Sequence, residues 1–183
     1  MRLIDCDTFF FPFSTPHFSG HSMYEKIIRI LASGLGLGYL PLAPGTFGTV
    51  LGSVIFYLVR MQSHAWLINL TLVVVLFSLV IAHLAEKEFG EKDCQKIVID
   101  EVAGVLVCYL FVPYSLFNLV MGFILFRLFD IAKIFPARQA QDHLDGGLAV
   151  VGDDLVAGVQ AGLLLLFFPQ ILHWVEVGLT YLA

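Results

Sequence analysis

The chain has 183 residues, of which 58% are hydrophobic and 14% charged, a formal net charge of -5 and a mean hydropathy of +0.87. Soluble domains are nearer half apolar and about a quarter charged, so this composition excludes that class and suits a bilayer. The acidic balance excludes a phosphate-backbone binder, which needs a basic surface, so no nucleic acid is expected as partner.

The length suits one domain, and no linker divides it. Residues 1–22 contain FFFPFSTPHF, a stretch broken by Pro12 and Pro16 that fits neither a helix nor a cleavable signal with a basic start and a small-residue site, and are read as a Phe-rich tail. Residues 23–183 are read as a single helical membrane domain. Cys6, Cys94 and Cys108 make no CxxC or Cys/His spacing, so reduced thiols are expected.

Tyr24 to Ala32 has apolar positions at helical spacing around Glu25, Lys26 and Arg29, which predicts a short amphipathic helix on the membrane surface. Ser33 to Gly52, SGLGLGYLPLAPGTFGTVLG, is dense in glycine. Such a loop can converge backbone amides on an anion, and Pro-Gly-Thr opening a helix would add free N–H groups; a plain re-entry loop is the alternative. Phe47 to Val59 reads as a short apolar helix ended by Arg60. Ala65 to Ala85 is the clearest span, with no Asp, Glu, Lys or Arg, as a hydrocarbon core of about 30 Å requires. A charged connector from Glu86 to Lys96 follows, then an apolar hairpin of Val102 to Val112 and Leu116 to Ile131, and a last span from about Leu155 to Leu172. Threaded in alternation, these five segments put nine of the ten Lys and Arg residues on one side, with only Arg60 opposite. By the positive-inside rule that side is cytoplasmic.

The same threading gathers the acids at that face. Gly146 to Val159, GGLAVVGDDLVAGV, sets Asp153 and Asp154 at the mouth of an apolar segment, where an uncompensated carboxylate costs several kcal/mol. A helix N-terminus would also suit an Asp pair. Asp-x-Val-Ala-Gly-Val occurs twice, from Asp100 and from Asp154, so each acid stands one helical turn before a glycine that allows close approach. Phe126 to Arg138, FRLFDIAKIFPAR, places Arg127, Asp130 and Lys133 at i, i+3 and i+6, one face of a helix that stops before Pro136. Hard carboxylate oxygens that hold Mg²⁺, with cations and amides for phosphoryl oxygens, are what phosphate-monoester hydrolysis needs.

The four blocks GLGLGYLPLAPGTFGT, IDEVAGV, FRLFDIAKIFPAR and GGLAVVGDDLVAGV resemble, in order and separation, those of the bacterial phosphatidylglycerophosphatase A family over about Ala32 to Gly162. The resemblance implies an all-α, multi-pass protein of the bacterial inner membrane with a polar site at the cytoplasmic interface. It implies Mg²⁺-dependent conversion of phosphatidylglycerophosphate to phosphatidylglycerol. It places metal ligands at Asp100, Glu101, Asp130, Asp153 and Asp154, and a phosphate-binding set at Gly45, Thr46, Thr49, Arg127 and Lys133, with Pro44 and Gly48 in the same loop. Asp100, Asp130, Asp154 and Lys133 are the catalytic candidates. Two departures are Thr49 for an expected serine and Ile134 for an expected proline. A CDP-alcohol phosphotransferase would need arginine where Val150 stands. A small ion-coupled transporter, the rival outside the enzymes, would place its polar groups near the bilayer midplane.

Overall fold

A computed structural model describes residues 22–89, 94–132 and 147–182, with side chains through 169. Six helices appear, and no strand among the described residues: α1 (Met23–Ala32), α2 (Pro44–Leu58), α3 (His64–Phe89), α4 (Ile99–Tyr109), α5 (Leu116–Ala132) and α6 (Gly147–Leu182). A 3-10 turn, Leu37–Tyr39, lies between α1 and α2. The expected tail, except Ser22, lies outside the described residues.

Helix α1 starts with a capping box in which the Ser22 amide donates to Glu25 and the Glu25 amide to the Ser22 hydroxyl, satisfying two donors at the chain's entry. Ile28 and Ala32 pack onto Ile81, Ala82, Ala85 and Phe89 of α3, while Met23, Ile27 and Ile30 point outward. Gly34, Leu35 and Gly36 then take positive φ, a turn that glycine makes accessible. It brings the Ala32 carbonyl to the Val98 amide at 2.9 Å and ties the end of α1 to the start of α4.

Helix α4 is the hub. Val102, Ala103, Gly104, Val105, Leu106, Cys108 and Tyr109 are all buried, enclosed by α2, α3, α5 and α6. Small residues permit this crowding: Gly48 lies against the Val98 carbonyl and Gly52 against Val105. At the far end Tyr109 stacks on Phe56 at 4.2 Å, and its hydroxyl donates to the Leu119 carbonyl and pairs with the Ser53 hydroxyl. That network satisfies a buried phenol, which would otherwise cost about 1–3 kcal/mol.

The structure departs from the sequence reading in three respects. By length and composition, two helices among the described residues could cross a bilayer, α3 and the Gly147–Pro169 part of α6. Helix α4, with 11 residues, is about 16 Å long and falls short of the hydrocarbon thickness; its apolar run reflects enclosure by protein. Helix α6 begins at Gly147, ahead of the expected Leu155, because Gly147 packs against the Leu79 carbonyl and His83 and α3 supports the extra turns. Against the expectation of reduced thiols, Cys94 is disulfide-bonded, while Cys108 is free. Exposed apolar side chains cover the outer faces, among them Ile68, Leu72, Leu76 and Val80 on α3 and Val159, Leu163 and Phe167 on α6. Apolar surface of this extent marks a membrane or protein contact.

Candidate metal and phosphate site

The N-termini of α2, α4 and α6 and the C-terminal part of α5 meet around one cavity of about 380 Å³. Ala43, Pro44 and Gly45 line it from α2, Asp100 and Glu101 from α4, Arg127 and Asp130 from α5, and Val150, Asp153 and Asp154 from α6. Asp100 and Glu101 occupy the first turn of α4, where positive dipole ends favour acids. Asp153 and Asp154 stand nearly two turns inside α6, six and seven residues past Gly147. They are therefore part of the helix wall, not a cap.

One oxygen from each of Asp100, Glu101 and Asp154 falls within 4.8 Å of the others. Asp100, Asp153 and Asp154 are only 5%, 6% and 4% exposed. Asp100 shares a side-chain hydrogen bond with Glu101, and Asp154 one with Asp130. Burial, with the neighbouring Glu101 charge, raises the Asp100 carboxyl well above its usual range. Burial likewise pushes Glu101 up to about 8, with the Asp154 and Asp130 charges adding to it. Two carboxyl groups share a hydrogen bond only if one holds a proton, and a cation between them removes that need.

Arg127 pairs with Asp130, Nη1 to Oδ2 at 2.6 Å. A Cβ placed on Gly45 would run into the Glu101 carboxylate and reach 3.0 Å from Arg127 Nη1, so the first turn of α2 closes on both side chains because residue 45 has none. Glu101 Oε2 is buried with no hydrogen-bond partner, as is Arg127 Nε. An orphaned carboxylate oxygen beside two further hard oxygens fits a divalent cation, so this cluster could bind a metal ion.

The structure brings together Gly45, Asp100, Glu101, Arg127, Asp130, Asp153 and Asp154. Lys133 lies outside the described residues. Thr46 and Thr49 are not among the lining side chains. Thr49 is fully buried and donates to the Gly45 carbonyl at 2.9 Å, bracing the loop from within α2. The Thr46 amide is taken by the Ala43 carbonyl at 2.9 Å, and Pro44 has no N–H, which leaves Gly45 as the orphan donor of this turn. Most glycines of the loop serve close packing, so the amide cradle expected from glycine density is narrower than composition implied. Gln95 and Ile97 also line the cavity; nothing in their residue types signals that role.

A family model described as phosphatidylglycerophosphatase A matches residues 30–169. The chain is 30% identical over 147 residues to the phosphatidylglycerophosphatase A of Escherichia coli (strain K12), covering 80% of this chain and 84% of that relative. It is 34% identical over 146 residues to a putative phosphatidylinositol-3-phosphatase of Bacteroides thetaiotaomicron, covering 74% of this chain and 89% of the relative. The phosphatidylglycerophosphatase A of Haemophilus influenzae is 30% identical over 136 residues, with 73% of this chain and 83% of the relative covered. No solved structure gives a significant match. With a matched region that takes in every residue lining the acidic cavity, the chain belongs to the phosphatidylglycerophosphatase A family of lipid phosphatases.

Proposed function

We propose that this chain removes the terminal phosphate of phosphatidylglycerophosphate, giving phosphatidylglycerol and inorganic phosphate, at the cytoplasmic face of a bacterial inner membrane and with Mg²⁺ as cofactor. The observation that carries the reading is the convergence of Asp100, Glu101 and Asp154 beside the Arg127–Asp130 pair, in a chain of this family.

Asp100, Glu101 and Asp154 would hold Mg²⁺, with Asp130 and Asp153 alongside. When bound, the ion would neutralise phosphoryl charge and lower the pKa of a coordinated water. Arg127, which lines the same cavity, binds phosphoryl oxygens, and its pairing with Asp130 fixes its orientation. The Gly45 amide and the positive end of α2 add a donor. Lys133, the next cation after Arg127 in the sequence, is assigned the developing charge on the transferred group. Asp130 and Asp153 accept hydrogen bonds from the attacking water and align it with phosphorus. The water oxygen bonds to phosphorus as the bond from phosphorus to the glycerol oxygen breaks; one water proton passes to the Asp130 and Asp153 carboxylates, and the glycerol oxygen takes a proton from solvent and leaves as the lipid alcohol.

The charge asymmetry of the sequence supports the cytoplasmic placement, and the exposed apolar faces of α3 and α6 support a multi-pass arrangement. A doubly charged phosphate drawn to mid-bilayer would meet a desolvation cost of several kcal/mol, which favours a site at interface depth. The test is phosphate release from labelled phosphatidylglycerophosphate by purified protein, with and without EDTA. Release should stop in EDTA and return with excess Mg²⁺; full activity in EDTA would overturn the metal assignment. Absence of release under all conditions, with ion flux into proteoliposomes, would favour the transporter.

A further inference from the structure

The repeated Asp-x-Val-Ala-Gly-Val is where two helices touch. A Cβ on Gly158 would overlap the Gly104 carbonyl oxygen, and a Cβ on Gly104 would lie 2.7 Å from the Asp154 carbonyl oxygen and 2.6 Å from Phe126 Cε2. One turn on, Gly162 sits 2.8 Å from the Cys108 carbonyl by the same measure. The two backbones are therefore in direct contact at the glycines of the repeat. Helices α4 and α6 both begin at the acidic cavity, so they run in the same direction. Each acid precedes its glycine by four residues, one helical turn. Contact at Gly104 and Gly158 thus brings Asp100 and Asp154 side by side, to where their oxygens fall within 4.8 Å.

We infer that Gly104 and Gly158 are positioning residues that set the spacing of the metal-binding acids, and with it the size of ion the site prefers; this rests on the metal reading proposed above. Close packing of small residues is a general device for joining membrane helices, so loss of stability alone would not separate the two roles. Ion size does. Mg²⁺ requires near-octahedral ligands at about 2.0–2.1 Å, whereas Ca²⁺ accepts looser shells at about 2.3–2.6 Å. A methyl group wedged between the backbones should open the acid pair and penalise the smaller ion more.

The experiment titrates Mg²⁺ and Ca²⁺ into detergent-purified wild type and Gly158→Ala by calorimetry, without substrate. In Gly158→Ala, Mg²⁺ affinity should fall about tenfold or more, the scale on which groups supporting a metal site act, while Ca²⁺ affinity falls less. Adding Asp154→Glu, a longer arm, should recover part of the Mg²⁺ affinity. If Gly158→Ala does not fold, Gly162→Ala takes its place, with the same change of ion preference at smaller size. A folded variant that keeps the wild-type Mg²⁺ to Ca²⁺ ratio, whether affinities are unchanged or equally weakened, overturns the inference. Wild type that binds neither ion overturns the metal reading itself, and this one with it.

Discussion

Asp100→Asn separates the two things this cluster does, because asparagine is the same shape and its Oδ1 can still accept the Glu101 amide, a 3.0 Å bond in the wild type. Ligand oxygens of Asp100, Glu101 and Asp154 lie within 4.8 Å of one another. At an effective dielectric constant of about 20, two unit charges at that distance repel by roughly 3.5 kcal/mol. Protons taken up by the metal-free cluster relieve this below about pH 8, so the gain from removing one charge, about 1–3 kcal/mol, belongs to metal-free protein above that pH, where Glu101 has lost its proton. For a chain of this size that is a rise in melting temperature of about 2–4 °C per kcal/mol. Saturating Mg²⁺ should reverse the order, since a ligand at about a hundred times its dissociation constant adds roughly 2.7 kcal/mol to the form that binds it and the variant binds it less. Turnover should fall at least about a hundredfold, the scale of losing one preorganised charged group. Melting in detergent, followed by tryptophan fluorescence in EDTA and in Mg²⁺, alongside phosphate release, measures all three. A variant that melts with or below the wild type in EDTA above about pH 8 and turns over near normally would refute the reasoning.

Without divalent ions the wild type should also lose stability as pH rises from about 5 through 8. Burial holds the folded Glu101 carboxyl up at about 8, above its ordinary 4.5, so the folded state binds the proton more tightly and its advantage vanishes once that proton leaves; a melting series in EDTA checks the sign. Arg127→Ala removes the partner of Asp130 and should cut kcat/KM about a hundredfold, and Arg127→Lys should recover only part, because an ammonium cannot reproduce the guanidinium fork. Sidedness is checked by replacing Asp145 with cysteine, which should react with an impermeant thiol reagent only after cells are opened. Lys133→Ala should slow turnover while Arg60→Ala, by the Tyr57 ring at 4.1 Å, changes little; equal losses would argue against a single cytoplasmic site.

Legibility in the sequence followed the physics of each signal. Helix α1 and the cores of α2, α3 and α5 were readable because apolar periodicity and charge-free length are local properties. The pairing of Asp100 with Asp154 was legible only as a repeat, since a helix crossing is a contact between distant residues. The start of α6 was misplaced because its support comes from Leu79 and His83, which no signal near Gly147 discloses. The resemblance implied Thr49 as a phosphate ligand, whereas its hydroxyl donates to the Gly45 carbonyl, a contact within α2 that the family motif does not disclose. Burial of α4 on every side was hidden, because an apolar run reads the same whether it faces lipid or protein.

The shortness of α4 bears on how the chain is assembled. With 11 residues, two of them acids in its first turn, it is too short to cross the hydrocarbon core alone and makes a poor independent insertion signal. On the membrane reading proposed above, α4 enters the bilayer together with α5 as a hairpin and finds its place only once α6 arrives to meet Gly104. The acids proposed to hold the metal then come into register only when α6 is made, so a nascent chain stalled before residue 147 holds Asp100 and Glu101 without Asp153 and Asp154. On that reading assembly and activation are one event, and a product truncated before α6 should release no phosphate.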